Sequence, residues 1–148
     1  MNKDQPKGSF IRWQSITIGQ LTYAINLVLG FSVATLGFQV SLLLNEKFKP
    51  IGGLQKLSFF ASLILLVLSV AFGIWVVINR LEDFRETTKA ARKRENGAPG
   101  SEIEPHRIRY QKLGKRTWCI FWCQIITFGL GVALTILSVF LSAIHKVL

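Results

Sequence analysis

The sequence predicts an all-α integral membrane protein with three transmembrane helices, of which the second and third extend into a cytoplasmic helical hairpin. Two observations carry this prediction. Half of the 148 residues are hydrophobic, and they gather in three uncharged blocks at about residues 16–44, 57–78 and 117–143. Between the second and third blocks lies a basic segment, residues 79–116, which we call the basic hairpin. The length predicts a single membrane domain covering residues 1–148.

The first span, residues 16–44, is longer than the roughly 20 residues that cross a bilayer, so we expect it to tilt or protrude. Small and polar residues recur along it every three or four positions, and we call them the first-span stripe: Gly19, Tyr23, Asn26, Gly30, Ala34, Gly37 and Ser41. Such residues let helices approach closely in lipid, so helix packing is the favoured interpretation. A polar lining for a pathway is the alternative.

The second span, residues 57–78, follows a short connection whose Pro50, Gly52 and Gly53 predict a turn and antiparallel neighbours. Ser58, Ser62, Ser69 and Gly73 lie near one face of this span. No breaker separates the span from residues 79–95, so the pattern predicts one continuous helix of about 39 residues, about 58 Å long. Its part beyond the membrane should have a weakly apolar seam, formed by Leu81, Phe84, Thr88 and Ala91.

The clearest helix breaker in the chain is the run from Asn96 to Gly100, Asn-Gly-Ala-Pro-Gly. The next helix has two possible starts, which the sequence leaves open: a capping box of Ser101 with Glu104, or Pro105 at the first helical position. It leads into the third span, which has a stripe of its own: Cys123, Thr127, Gly131, Thr135, Ser138 and Ser142. We expect the three stripes to face one another or a neighbouring subunit.

The distribution of Lys and Arg predicts the orientation. The N-terminal tail and the basic hairpin together carry fourteen of the 18 basic residues, whereas the first connection and the C-terminal tail carry four. The positive-inside rule therefore places the N-terminus and the basic hairpin in the cytoplasm and the C-terminus outside. Trp13, Trp75, Trp118 and Trp122 would all lie towards the cytoplasmic side. We expect a multi-pass protein of the cell membrane, in a bacterial inner membrane.

No arrangement of residues predicts catalysis, a metal site or a cofactor, so we expect a protein that is not an enzyme. His106 and His145 would lie on opposite sides of the membrane. Cys119 and Cys123 are one helical turn apart, which suits packing better than a zinc site. The three spans contain no Asp, Glu, His, Lys or Arg, whereas ion-coupled carriers keep such residues inside the membrane.

The basic hairpin has three competing interpretations: attraction to anionic membrane lipids, docking of a cytoplasmic or membrane protein partner, and nucleic-acid binding. The last is disfavoured because Tyr110 stands alone and no aromatic platform for stacking bases is present. The candidate contacts to anionic lipid or partner are its basic residues: Lys89, Arg92, Lys93, Arg94, Arg107, Arg109, Lys112, Lys115 and Arg116.

These features favour a small multi-pass membrane scaffold or accessory subunit that acts through its basic hairpin. The alternative function is a channel or pore-forming effector, assembled as a homo-oligomer and lined by neutral polar residues. The candidate residues for helix packing or pore lining are Asn26, Gly30, Gly37, Gln39 and Gln124. Both hypotheses assign no cofactor to the chain.

Overall fold

The structure of the chain is a computed structural model that describes residues 5–45 and 52–147, with side chains at 16–45 and 52–144. Three α-helices make up nearly all of this part of the chain: α1 (Gln5–Leu44), α2 (Gly53–Glu95) and α3 (Gly100–Val147). Each is long and apolar enough to cross a membrane. The prediction of an all-α chain with three such helices is confirmed. Pro50 and the side chains of Trp13 and His145 fall outside the described residues.

α2 runs without interruption for 43 residues, through the second span and into the basic hairpin. It ends at the predicted breaker, where Gly97 has a φ of 69°. The Gly97 N–H donates to Arg94 O at 3.1 Å and the Ala98 N–H donates to Lys93 O at 3.0 Å. These two bonds form a Schellman motif, in which a left-handed residue satisfies the last helical carbonyls. Glycine suits this position because it has no Cβ.

α3 begins at Gly100, one residue before Ser101. Of the two starts that the sequence leaves open, the one at Ser101 is therefore the closer. Pro105 lies inside the helix, where its ring removes one backbone hydrogen bond near the helix start. The helix then continues for 48 residues.

α2 and α3 pack against each other as an antiparallel pair along most of their length. Buried positions recur on both helices at alternating spacings of three and four. On α2 they include Phe59, Ser62, Leu66, Ser69, Gly73, Val76 and Asn79, and on α3 they include Leu113, Thr117, Ile120, Gln124, Gly131, Thr135 and Ser138. This spacing is typical of helices that cross at a small angle with coiled-coil-like packing.

α1 lies at the side of this pair and contacts α2 more than α3. Its buried residues, Ile25, Ser32 and Gln39, are spaced by seven. The first-span stripe lies on the exposed side of α1 instead, and neither Gly30 nor Gly37 has an atom near the place of a Cβ. These two glycines therefore do not pack against α2 or α3. Ser32 and Gln39 determine which face of α1 turns inward, because both form hydrogen bonds to the other helices.

The predicted seam of the basic hairpin is not its buried face. Leu81 and Phe84 are 59% and 49% exposed, and Thr88 and Ala91 are exposed as well. The buried residues of this part of α2 are Asn79, Glu86 and Ala90. They continue the spacing of buried residues in the second span, so the same face of α2 is buried in the apolar span and in the hairpin.

Candidate functional site

Buried hydroxyl groups connect all three helices in the middle of the bundle. The Oγ atoms of Ser32 on α1 and Ser69 on α2 lie 3.0 Å apart, within hydrogen-bond distance. The Ser69 hydroxyl also lies 3.2 Å from the carbonyl oxygen of Gln124 on α3, to which it donates. All three residues are fully buried. Side-chain bonds between helices of this kind hold membrane bundles together, because lipid tails offer polar groups no partner.

The contacts of Ser32, Ser69 and Gln124 form one layer of the bundle. A second layer of contacts between the helices is centred on Gln39, which is also fully buried. Its Nε2 donates to Thr135 Oγ1 on α3 at 2.7 Å and to Ser62 Oγ on α2. One amide nitrogen from α1 thus joins the other two helices. The Gln39 Oε1 has no hydrogen-bond partner within the described residues.

Gln124 differs from Gln39 because neither its side-chain nitrogen nor its side-chain oxygen has a hydrogen-bond partner in the described part of the chain. Its amide packs over Gly73, where an added Cβ would lie 2.7 Å from Nε2. The predicted packing or pore-lining residues are thus divided. Gln39 and Gln124 are buried in separate layers of one subunit, whereas Asn26, Gly30 and Gly37 are on the outside of α1.

Where the second span continues into the basic hairpin, the Asn79 side chain connects α2 to α3. Its Nδ2 donates to Leu113 O at 2.9 Å and to Thr117 Oγ1 at 2.7 Å. On the outside at this level, the Arg116 guanidinium lies 5.1 Å from the centre of the Trp75 ring. Trp118 and Trp122 are about half exposed nearby. Exposed tryptophans beside basic residues are typical of the boundary between hydrocarbon and headgroups.

Glu86 is the buried charge of the basic hairpin, with an exposure of 5%. Its carboxylate accepts from Lys89 Nζ at 2.9 Å and lies 2.7 Å from His106 Nδ1 on α3. Arg109 Nη1 lies 3.9 Å away. The hydrogen bond from Lys89, then that from His106, lower the pKa of Glu86 to about 2, and the charges of Lys89 and Arg109 add to the effect. Burial instead raises the pKa of Asp83, against the opposing charge of Arg80.

Sequence reasoning missed Glu86 and His106 as contacts between α2 and α3. The available signal was spacing: Glu86 follows Asn79 by seven residues and therefore lies on the same face of α2.

The predicted basic contact residues fall into two groups. Four are in ion pairs: Lys89 and Arg109 with Glu86, Lys93 with Glu102 at 3.7 Å, and Arg107 with Glu104 at 3.9 Å. The others are exposed and make no ion pair within the described residues: Arg92, Arg94, Lys112, Lys115 and Arg116. We call Arg92 and Arg94 the tip pair, and Lys112, Lys115 and Arg116 the base group.

Cys119 and Cys123 are free and exposed on α3. Within the described residues, no group of three or more His, Cys, Asp and Glu side chains is placed to hold a metal ion. No protein-family model matches the chain, and neither a curated protein nor a solved structure matches it significantly.

Proposed function

We propose that the chain is a non-enzymatic membrane scaffold or accessory subunit whose contact surface is the basic hairpin. We place it in a bacterial inner membrane, with the N-terminus and the basic hairpin in the cytoplasm and the C-terminus outside. The observation that carries the proposal is the buried contact of Glu86 with His106, above the Asn79 bridge. Both contacts join α2 to α3 by polar side chains and hold the two helices in one fixed alignment. The hairpin therefore has a defined shape, as a docking surface requires.

The tip pair and the base group differ in how far they lie from the membrane. Lys112 is five residues from Thr117, about 8 Å along α3, whereas Arg92 is about 20 Å beyond Asn79 along α2. Screening limits electrostatic interactions between exposed charges to about 8–10 Å at physiological salt. The base group is therefore within reach of anionic lipid headgroups, and the tip pair is free for a protein partner with an acidic surface.

Charge reversal at the two places tests this division with matched variants. We expect Arg92→Glu with Arg94→Glu to remove a protein that is cross-linked to the full chain in native membranes. Lys112→Glu with Lys115→Glu makes the same change in charge, and we expect it to keep that partner but lower the amount of copurifying anionic lipid. Quantitative mass spectrometry of both fractions measures the two effects. The same set of proteins recovered with all three chains would refute docking at the tip.

The alternative proposal is a homo-oligomeric channel or pore-forming effector. The observation in its favour is the exposed first-span stripe, which leaves Gly30 and Gly37 free to face another copy. Gln39 supports it less, because that amide is already bonded to Ser62 and Thr135 inside one subunit. Ion leakage from liposomes that contain the purified chain distinguishes a pore from a scaffold.

A further inference from the structure

A cleft of about 230 Å³ lies between α1 and α2, where α2 leaves the apolar span. Ile25 of α1 and Val77, Leu81 and Phe84 of α2 give it mostly apolar walls. Its polar groups are the Arg80 guanidinium on α2 and the side chains of Thr22 and Asn26 on α1. A slot with apolar walls and one cation matches a molecule with an apolar chain and an anionic end.

Arg80 has donors to spare. Its Nη2 donates to Ile18 O at 3.3 Å, and the guanidinium lies 5.3 Å from the centre of the Phe84 ring. No carboxylate of the described residues forms an ion pair with Arg80. Asp83, one turn further along α2, is the acidic group that acts on Arg80 through its charge. A guanidinium has five N–H donors in a planar fork that fits phosphate oxygens, so most of its donors remain available.

The depth of Arg80 suits a lipid headgroup. It is the first charged residue after the uncharged second span and follows directly after Asn79. Trp75 lies five residues before it and stacks with Arg116. Basic and aromatic residues at such a place lie at the level of the headgroups.

Asn26 is the second polar group of the cleft. It is exposed on α1, in a span that has no charge, and it lines the same cleft as Arg80. An amide that faces hydrocarbon without a partner is unfavourable. The amide nitrogen has donors for a phosphate or ester oxygen, which would remove that penalty. Thr22 already donates its hydroxyl to Ile18 O at 2.9 Å, so its oxygen can only accept.

We infer that this cleft binds one anionic glycerophospholipid, with its phosphate on Arg80, an ester oxygen on Asn26 and an acyl chain along Ile25 and Val77. The inference rests on the membrane placement proposed above, but not on any partner of the tip pair. The basic hairpin next to the cleft contains eleven Lys and Arg and six Asp and Glu, so it is net positive. It would repel a positively charged headgroup, which favours a lipid whose headgroup carries no cation. Attraction of lipid to the base group would need no cleft, so this site is distinct from it.

Lipid retention by the full chain tests the site. Native mass spectrometry from detergent micelles compares phosphatidylglycerol with phosphatidylcholine. We expect the unaltered chain to retain phosphatidylglycerol, and Arg80→Gln to lower its apparent affinity about tenfold, the loss expected for a charged hydrogen bond. Arg85→Gln is the matched control: it removes the same charge from an exposed position on α2 that does not line the cleft, and retention should be unchanged.

A second variant keeps the charge and fills the cleft. Val77 is 37% exposed on the cleft wall, so Val77→Phe should lower phosphatidylglycerol retention while the chain stays folded. This variant decides the question if Arg80→Gln does not fold.

Three outcomes overturn the inference. Equal losses for Arg80→Gln and Arg85→Gln would indicate general attraction of charge. Unchanged retention in Val77→Phe would exclude the cleft. Displacement of the lipid by millimolar inorganic phosphate would identify a free anion as the ligand. Arg92→Glu with Arg94→Glu should leave retention unchanged, so failure of the docking proposal is seen separately.

Discussion

Among the glycines whose surroundings the structure describes, Gly131 of α3 is one of two at which packing depends on the missing side chain. A Cβ added there would lie 2.9 Å from Leu66 Cγ and 3.4 Å from the Leu66 backbone nitrogen. A Cβ added at Gly73 would lie 2.7 Å from Gln124 Nε2 and 2.9 Å from Leu29 Cδ1. Both of these atoms are at the far end of a flexible side chain. Leu66 is fully buried and has no room to retreat, so Gly131 is the stricter requirement.

We expect Gly131→Ala to lower the free energy of unfolding by about 1–3 kcal/mol, the range for overpacking in a core. Gly37→Ala is the matched control. It makes the same chemical change on α1, where nothing lies within 4 Å of the added atom, and alanine has a higher helix propensity. Titration with SDS in mixed micelles, followed by tryptophan fluorescence, measures both. Equal destabilisation by the two substitutions would show that α3 does not approach Leu66 closely.

The same contrast explains why the first-span stripe does not show which residues of α1 pack against α2 and α3. Spacing alone shows that Gly30 and Gly37 share one face of a helix, but a glycine is equally compatible with a close contact and with an open surface. Ser32 and Gln39 are only two residues, against seven in the stripe. Each nevertheless makes a hydrogen bond to another helix. In a membrane bundle such bonds decide which face turns inward, and their partners lie on segments distant in the chain.

At the scale of the helices, the end of α2 followed from a local signal. The breaker predicted it, because Gly97 adopts a conformation that other residues resist. The phase of the hairpin was not predicted in this way. The apolar side chains of Leu81 and Phe84 suggested one face, whereas the buried face carries Asn79 and Glu86, whose partners are on α3.

The Glu86 contact predicts how the stability of the basic hairpin depends on pH. Its carboxylate has a pKa lowered from 4.5 to about 2 in the folded chain. A lowered pKa means that the folded state favours the ionised form, so the contribution is fully present above about pH 4.5 and is lost as the pH falls towards 2. Lys89, His106 and Arg109 face this carboxylate and supply the effect.

Two variants isolate that contribution. We expect Glu86→Gln to lower the melting temperature at neutral pH and to remove most of the loss in stability between pH 4.5 and pH 2. Glu82→Gln removes the same charge from an exposed position and should follow the unaltered chain throughout. Thermal melts of the full chain in micelles at a series of pH values measure this. A pH profile of Glu86→Gln that matched that of the unaltered chain would exclude Glu86 as the cause.

At the scale of the whole molecule, the three helices contribute unequally. α2 and α3 form one long antiparallel pair that includes the basic hairpin, and α1 lies against its side, mainly on α2. This arrangement leaves a face of α1 open and creates the cleft at Arg80. The basic hairpin, with eleven basic and six acidic residues, carries half of the net charge of +10. Docking, lipid attraction and the lipid cleft all require that side to be cytoplasmic.

That orientation predicts a labelling pattern for two matched glycines at opposite ends of α2. Gly52 precedes α2, Gly100 begins α3 beyond it, both are exposed, and neither has an atom near an added Cβ. With Cys119 and Cys123 changed to serine, we expect an impermeant thiol reagent to label Gly52→Cys in intact spheroplasts. Gly100→Cys should be labelled only after the membrane is permeabilised, because the positive-inside rule assigns the side with fourteen of the 18 basic residues to the cytoplasm. The opposite pattern would place the basic hairpin outside the cell and remove the basis for a cytoplasmic partner.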